Sequence, residues 1–178
     1  RLTALSQQLN VADVLAGKST PDQMMAALTA FRDGAWADPA RQMLGAAQEA
    51  WLADGLRAST RGGKRWQVLV QQVLMGTLST PTAFADALPA NAPESLRQRV
   101  IAGAMATRAG LPFNMDAWDG YPAARARVFE AALAADANLV VLAGDTHNAW
   151  GFDLAHEETA VGVEFGVSSV TSPGFENY

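Results

Sequence analysis

Asn138-Leu-Val-Val-Leu-Ala-Gly-Asp-Thr-His-Asn-Ala-Trp150 is the stretch that decides the fold. Leu139–Ala143 is an unbroken apolar run containing β-branched Val140 and Val141, and Gly144 closes it. Such a run predicts a strand covered on both faces by its neighbours. Asp145 and His147 follow, two residues apart, and then Asn148. In extended chain, residues i and i+2 point the same way. A carboxylate and an imidazole would then stand side by side at the carboxyl end of the strand, where open α/β sheets place their ligands. That donor pair suits a divalent or trivalent metal. The plainer reading is a turn after a buried strand, with one histidine capping it.

Outward from this stretch, Pro122 opens a helix whose Val128, Phe129, Ala132 and Leu133 face the core and which delivers the chain to the strand. Downstream, Trp150, Phe152 and Leu154 alternate, residues 156–159 make a polar turn with His156 in it, and Val161, Val163, Phe165 and Val167 alternate again. This predicts an antiparallel hairpin with one apolar face. Gly162, Glu164 and Gly166 stand on the other face, where another backbone can approach closely. Residues 168–174 are a hydroxyl-rich loop.

Upstream, Thr20-Pro-Asp-Gln23 predicts a capped helix carrying Met24, Leu28 and Phe31 up to Gly34. Asp38-Pro39 repeats the device for a helix to about Ala58, with Leu44, Ala47, Trp51, Leu52 and Leu56 on one apolar face, stopped by Gly62 and Gly63. Residues 66–75 read as a strand, and Gln71 and Gln72 within it imply that it ends near something polar. Residues 79–93 read as surface loop, and Glu94–Arg108 as a helix with Leu96, Val100, Ile101, Ala104 and Met105 inward. Residues 1–17 read as loop with some helix.

The 178 residues fit one domain with a real core. A net charge of −5 argues against binding nucleic acid, which requires a basic field. A phosphate substrate stays compatible, because a bound metal supplies local positive charge. No apolar run approaches a membrane span, and the lack of cysteine removes disulfides and thiolate ligands. The chain opens on Arg1 and ends on Tyr178 directly after a loop, which reads as a piece of something longer.

Three stretches in order carry a family resemblance: Leu44 to Leu52, Asn114 to Arg125 with its Trp118-Asp-Gly-Tyr-Pro122, and Val140 to Trp150 with Gly144-Asp-Thr-His147. Together with Val163-Glu164-Phe165 and residues 168–174, they resemble the PhoD-like alkaline phosphatases and phosphodiesterases, a branch of the calcineurin-like metallophosphatases. The resemblance implies that residues 1–178 are the carboxyl-terminal part of one catalytic domain. Its implied fold is a layered α/β sandwich with a mixed sheet, helices on a flank and a terminal hairpin. It also implies hydrolysis of phosphate mono- or diesters, on a small-molecule or polymer substrate, with two metal ions, iron and calcium being those of the family. A bacterial periplasmic or secreted location goes with it.

His147 carries over as a metal ligand and catalytic residue, and Asp145 as a ligand or a partner of one. The wider superfamily has Gly-His-x-His where this chain has Gly144-Asp-Thr-His147. Asn148, Asp116, Asp119 and Tyr121 are candidates for contacting substrate or supporting the ligands. For Asp119 two readings stand: reaching the metals or substrate, or capping the helix at Pro122. Trp118 and Tyr121 read as core anchors, and Gln48 and Gln72 as side chains that order backbone near the site. No upstream aspartate, histidine or asparagine motif of the superfamily is found, so the chain would supply only part of a site, be inactive alone, and pair with another copy through exposed sheet. The alternatives are a non-catalytic binding or assembly fragment, and a serine hydrolase using the cluster from Ser168 to Ser172. The latter lacks the Gly-x-Ser-x-Gly elbow that activates such a serine.

Overall fold

A computed structural model describes residues 11–174. In chain order its elements are α1 (Val11–Leu15), α2 (Pro21–Phe31), a π-helical turn (Arg32–Trp36), α3 (Ala46–Arg61), β1 (Gln67–Val70), α4 (Ala83–Asp86), α5 (Glu94–Arg108), a 3-10 turn (Trp118–Gly120), α6 (Pro122–Ala134), β2 (Leu139–Ala143), β3 (Trp150–His156) and β4 (Thr159–Gly166). The expectation for residues 1–10 lies outside the described residues. The chain divides into two compact units, one of Arg1–Asp38 with Leu78–Asn114, the other of Pro39–Thr77 with Met115–Tyr178.

The first unit is helical. Thr20 and Gln23 form the expected reciprocal cap, with the Thr20 amide donating to Gln23 Oε1 at 2.8 Å and the Gln23 amide to Thr20 Oγ1 at 3.2 Å. Two otherwise orphaned donors are satisfied at the start of α2. Met24 and Leu28 are buried, as are Ala104 and Met105 of α5. Arg32 Nη1 donates to Ala109 O at 2.9 Å, where Gly110 turns α5 off at φ 76°. Residues 79–93 hold the short helix α4 within the expected loop.

The second unit carries a four-stranded sheet in the order β1-β2-β4-β3. β1, β2 and β4 run parallel, and β3 returns antiparallel to β4 with Trp150 opposite Gly166 and Phe152 opposite Glu164. The mixed sheet, the helices and the terminal hairpin are those expected from the sequence. Leu56 of α3 and Val128, Phe129 and Ala132 of α6 join Leu139, Val141 and Leu154 in one core with Trp118. Each of the large apolar side chains stabilises the fold by roughly 1.5–3 kcal/mol through its removal from water.

Four local expectations are corrected. The helix expected at Asp38-Pro39 begins at Ala46, because Arg127 donates to the carbonyls of Pro39 and Arg41, both at 3.2 Å, and these are then lost to a helical ladder. Trp51 is 74% exposed and Ala47 is exposed too, leaving Leu52 and Leu56 as the inward stripe. Neighbouring helical positions differ by about 100°, so Trp51 cannot share the direction of Leu52. Strand β1 covers only Gln67–Val70, since Gln71 donates its side-chain amide to Val73 O and accepts from the Trp118 indole at 3.0 Å. The expectation of a polar strand end is met there.

The fourth correction concerns β4. Its inward face is that of Glu164 and Gly166, while Phe165 and Val167 are 50% and 57% exposed. Glu164 pairs with Val141 of β2, and Val141 lies in the core with α6, so the register carries Glu164 inward. Val161 still reaches the core because the β3 ladder steps from Ala160 to Gly162 and passes over it, a β-bulge.

Gly162 is required by close approach, since a Cβ there would strike the Leu139 carbonyl. Gly162→Ala should destabilise the fold by about 2 kcal/mol in urea titration, as strand overpacking does. Gly151→Ala in β3, where nothing lies within 4 Å, should be neutral.

Candidate active site at the carboxyl ends of the parallel strands

The loops that follow β1, β2 and β4 converge. After β1, the Gln72 carbonyl accepts from Gly144 N at 3.2 Å and from Asp145 N at 3.0 Å. After β4, Val167 N donates to Ala143 O at 2.9 Å and Ser169 N to His147 O at 3.3 Å. His147 Nδ1 lies 2.9 Å from Pro173 O. A Cβ on Gly174 would meet the Asn148 side-chain amide at 2.6 Å, so glycine lets that loop close on Asn148. Parallel strands bring their carboxyl ends to one edge, and three loops there frame Asp145, His147 and Asn148.

The loop does not follow strand geometry. β2 ends at Ala143, Asp145 and Thr146 form a turn, and His147 N closes it on Gly144 O at 3.2 Å. His147 itself has φ 59°, in the left-handed region. Alternation in extended chain therefore does not set the relation between Asp145 and His147. Asp145 is exposed, and His147 and Asn148 are partly buried. Left-handed backbone is uncommon outside glycine and concentrates where function holds it in place.

A carbonyl oxygen can only accept, so the contact with Pro173 puts a proton on Nδ1 and, in the neutral ring, leaves the lone pair on Nε2. This is how metal-ligating histidines are commonly oriented, one ring nitrogen held by a backbone carbonyl and the other presented. Thr146 Oγ1 accepts from the Trp150 indole at 3.0 Å, and Trp150 stacks on Phe152 with centroids 6.0 Å apart, so the loop rests on the hairpin.

The remaining candidates lie differently. Asp116 is exposed. Asp119 is 3% exposed, accepting from Arg125 Nη1 at 2.5 Å and from the Thr77 hydroxyl at 2.9 Å. It is not the cap of α6, which starts from Tyr121 without a side-chain hydrogen bond. Trp118 is a core anchor, and Tyr121 packs against the core beneath the Arg41 guanidinium, 4.6 Å from its ring centroid. Gln48 is exposed on α3, and Gln72 contributes its backbone carbonyl to the site loop. His156 ends β3, its Nε2 3.5 Å from Glu130. Ser169 donates its hydroxyl to the Ser172 carbonyl within the loop. Among the described residues, no three or more His, Asp or Glu side chains are grouped to hold a metal ion.

Glu164 and Arg125 escaped the sequence reading as supports of this site. Glu164 is wholly buried, and its carboxylate accepts from Met75 N at 2.8 and 3.0 Å and from Gly76 N at 2.7 Å. Arg125 Nη1 donates to Met75 O at 2.9 Å and Thr77 Oγ1 at 3.1 Å. The only trace of this in the sequence was an acid between two glycines on one face of a strand. Burial pushes the Glu164 carboxyl above the ordinary glutamate range, against the opposing pull of the two amides and Arg125.

Two expectations follow from this geometry. His147→Gly should leave the unfolding free energy nearly unchanged, because relief of a left-handed conformation, about 1 kcal/mol, offsets one lost hydrogen bond of similar size. A loss beyond about 2 kcal/mol would make the ring a structural prop. Between the ordinary glutamate value and the raised one, the folded state holds a Glu164 proton that the unfolded state has already released, so this stability is complete below the ordinary range and declines as pH rises through the raised value. Glu164→Gln should remove that decline in urea titrations across the window.

Comparison with known proteins completes the description. Residues 10–178 match the family described as PhoD-like phosphatase. The chain is 33% identical over 143 residues to Alkaline phosphatase D of Bacillus subtilis (strain 168), covering 77% of this chain and 20% of that protein. The chain thus spans about a fifth of the length of this curated relative. No solved structure is matched.

Proposed function

The chain belongs to the PhoD-like phosphatase family, and on that premise we propose that it supplies the carboxyl-terminal part of an active site for metal-dependent hydrolysis of phosphate mono- or diesters. The observation that carries this reading is His147, held at Nδ1 by Pro173 O with Nε2 left free, at the carboxyl edge of three parallel strands. His147 and Asp145 would hold metal, with Asn148 beside them for substrate or support. The two metal ions of the family, iron and calcium by resemblance, would withdraw charge from phosphoryl oxygens and lower the pKa of a bound water. The residues of this chain orient one imidazole, fix the loop that carries it, and close that loop with the segment following β4.

Metal sites generally need three or more protein ligands, and no such group occurs among the described residues. The other ligands would come from outside this chain. The sheet supports that view. Parallel strands are normally covered on both faces, yet Val68 and Val70 of β1 are 56% and 73% exposed, and Phe165, across β2 in register with Val70, is exposed too. We assign this apolar face to the rest of a longer catalytic domain, consistent with a relative of which the match covers 20% while covering 77% of this chain; in its absence, pairing of two copies would cover it. A periplasmic or secreted location accompanies this reading. Among the described residues no helix is long and apolar enough to cross a membrane.

The same shortage of ligands favours a second reading, a non-catalytic binding or assembly fragment. Elemental analysis separates them, since such a fragment joined to its upstream half would carry no stoichiometric metal. In a longer protein containing this chain, His147→Ala should lower kcat/KM by more than the ~10–100-fold typical of losing a ligand's outer support, with the circular dichroism spectrum unchanged. This chain alone, given metal, should hydrolyse phosphate esters no faster than buffer. Robust His147-dependent turnover from the chain alone would mean that the missing ligands lie within it.

A further inference from the structure

We propose that Glu164 is a positioning residue for the site loop, its buried carboxylate gripping the Met75 and Gly76 amides so that the Gln72 carbonyl holds Gly144, Asp145 and, through them, His147 in place. This rests on the reading of that loop as a phosphatase site. Glu164 is sealed from solvent and touches backbone amides, so it acts through the loop and not on substrate.

The segment of residues 71–77 is clamped along its length. At one end the Trp118 indole donates to Gln71 Oε1 at 3.0 Å. At the other, Glu164 takes the amides of Met75 and Gly76 while Arg125 takes the Met75 carbonyl at 2.9 Å. Gly76 has no slack of its own, because the Phe152 ring lies where its Cβ would be. Between the clamps, Gln72 O is the acceptor for both Gly144 N and Asp145 N. His147 N closes on Gly144 O one step further. The links from Glu164 and Arg125 to His147 are hydrogen bonds to backbone, and the left-handed turn at His147 needs its surroundings to hold it.

The charge matters to this task. A carboxylate offers acceptor lone pairs on both oxygens, whereas an amide of the same shape turns an NH2 group towards donors. Charge-assisted bonds from backbone N–H groups are also the stronger kind. Arg125 and Asp119 are the charged groups that act on Glu164 here, one favouring and one opposing its ionised form.

Amide hydrogen exchange on the full chain tests the inference directly. Glu164→Gln should speed exchange of the Gly144 and Asp145 amides about tenfold through local opening. The Gln67 amide, bonded to Asn138 O at 3.1 Å at the far end of the sheet, should be unaffected. If that variant does not fold, Arg125→Lys removes the guanidinium's hold on the Met75 carbonyl and should loosen the same two amides. Unchanged exchange at Gly144 and Asp145, or equal acceleration at Gln67, would overturn the proposal. In a longer, active protein, Glu164→Gln should lower kcat with little change in KM, and should add nothing to His147→Ala, as groups acting through one element are non-additive. A fully additive pair would overturn it. Selective exchange together with a fully active His147→Ala enzyme would uphold the clamp and remove the phosphatase reading of the loop.

Discussion

A carboxylate withdrawn from water must meet fixed donors or give up its charge. Glu164 meets this constraint in part with two backbone amides, burial still holding its carboxyl above the ordinary range, and that choice organises the unit around it. Its position on β4 opposite Val141 fixes which face of the sheet turns towards α6. Its grip on Met75 and Gly76 ends the freedom of the chain after β1. The same segment then serves the loop after β2 through the Gln72 carbonyl. Packing of the hairpin, strand register and loop placement thus meet at one side chain.

The function proposed for the chain follows from where those loops are held. Parallel β1, β2 and β4 end at one edge, and the loops leaving them exchange backbone hydrogen bonds and the His147 contact with Pro173. A histidine with one nitrogen occupied by a carbonyl is committed to presenting the other. In the proposed reading the metal ions would supply the chemistry and this chain the orientation of one imidazole. The exposed apolar face that includes Val68, Val70 and Phe165 is the structural counterpart of the short ligand set, and the proposal has both completed from beyond these residues.

Much of the frame was legible because it rests on local rules. The Thr20 cap, the apolar strand Leu139–Ala143, buried at alternate residues, and the β3–β4 hairpin each carry their signal within a few residues. What the sequence did not show depends on distant partners. Arg127 takes the carbonyls of Pro39 and Arg41 from across 86 and more positions and moves the start of α3. The inward face of β4 was misread because alternation finds an apolar face without saying which face the helices cover, and because a bulge sent Val161 inward against the alternation. At the site, the spacing of Asp145 and His147 was legible but their spatial relation was not. A turn and a left-handed φ at His147 replaced the extended geometry that alternation assumed.

The most direct measurement is the tautomer of His147, read from the ring-nitrogen shifts and couplings in long-range proton–nitrogen correlation spectra in alkaline buffer. The contact with Pro173 O requires the neutral ring to carry its proton on Nδ1, with Nε2 unprotonated and available to a metal or substrate. That result is expected for the chain by itself, before any metal is added. A proton on Nε2 would contradict it, because the ring would then neither donate to Pro173 nor present a free lone pair to the site.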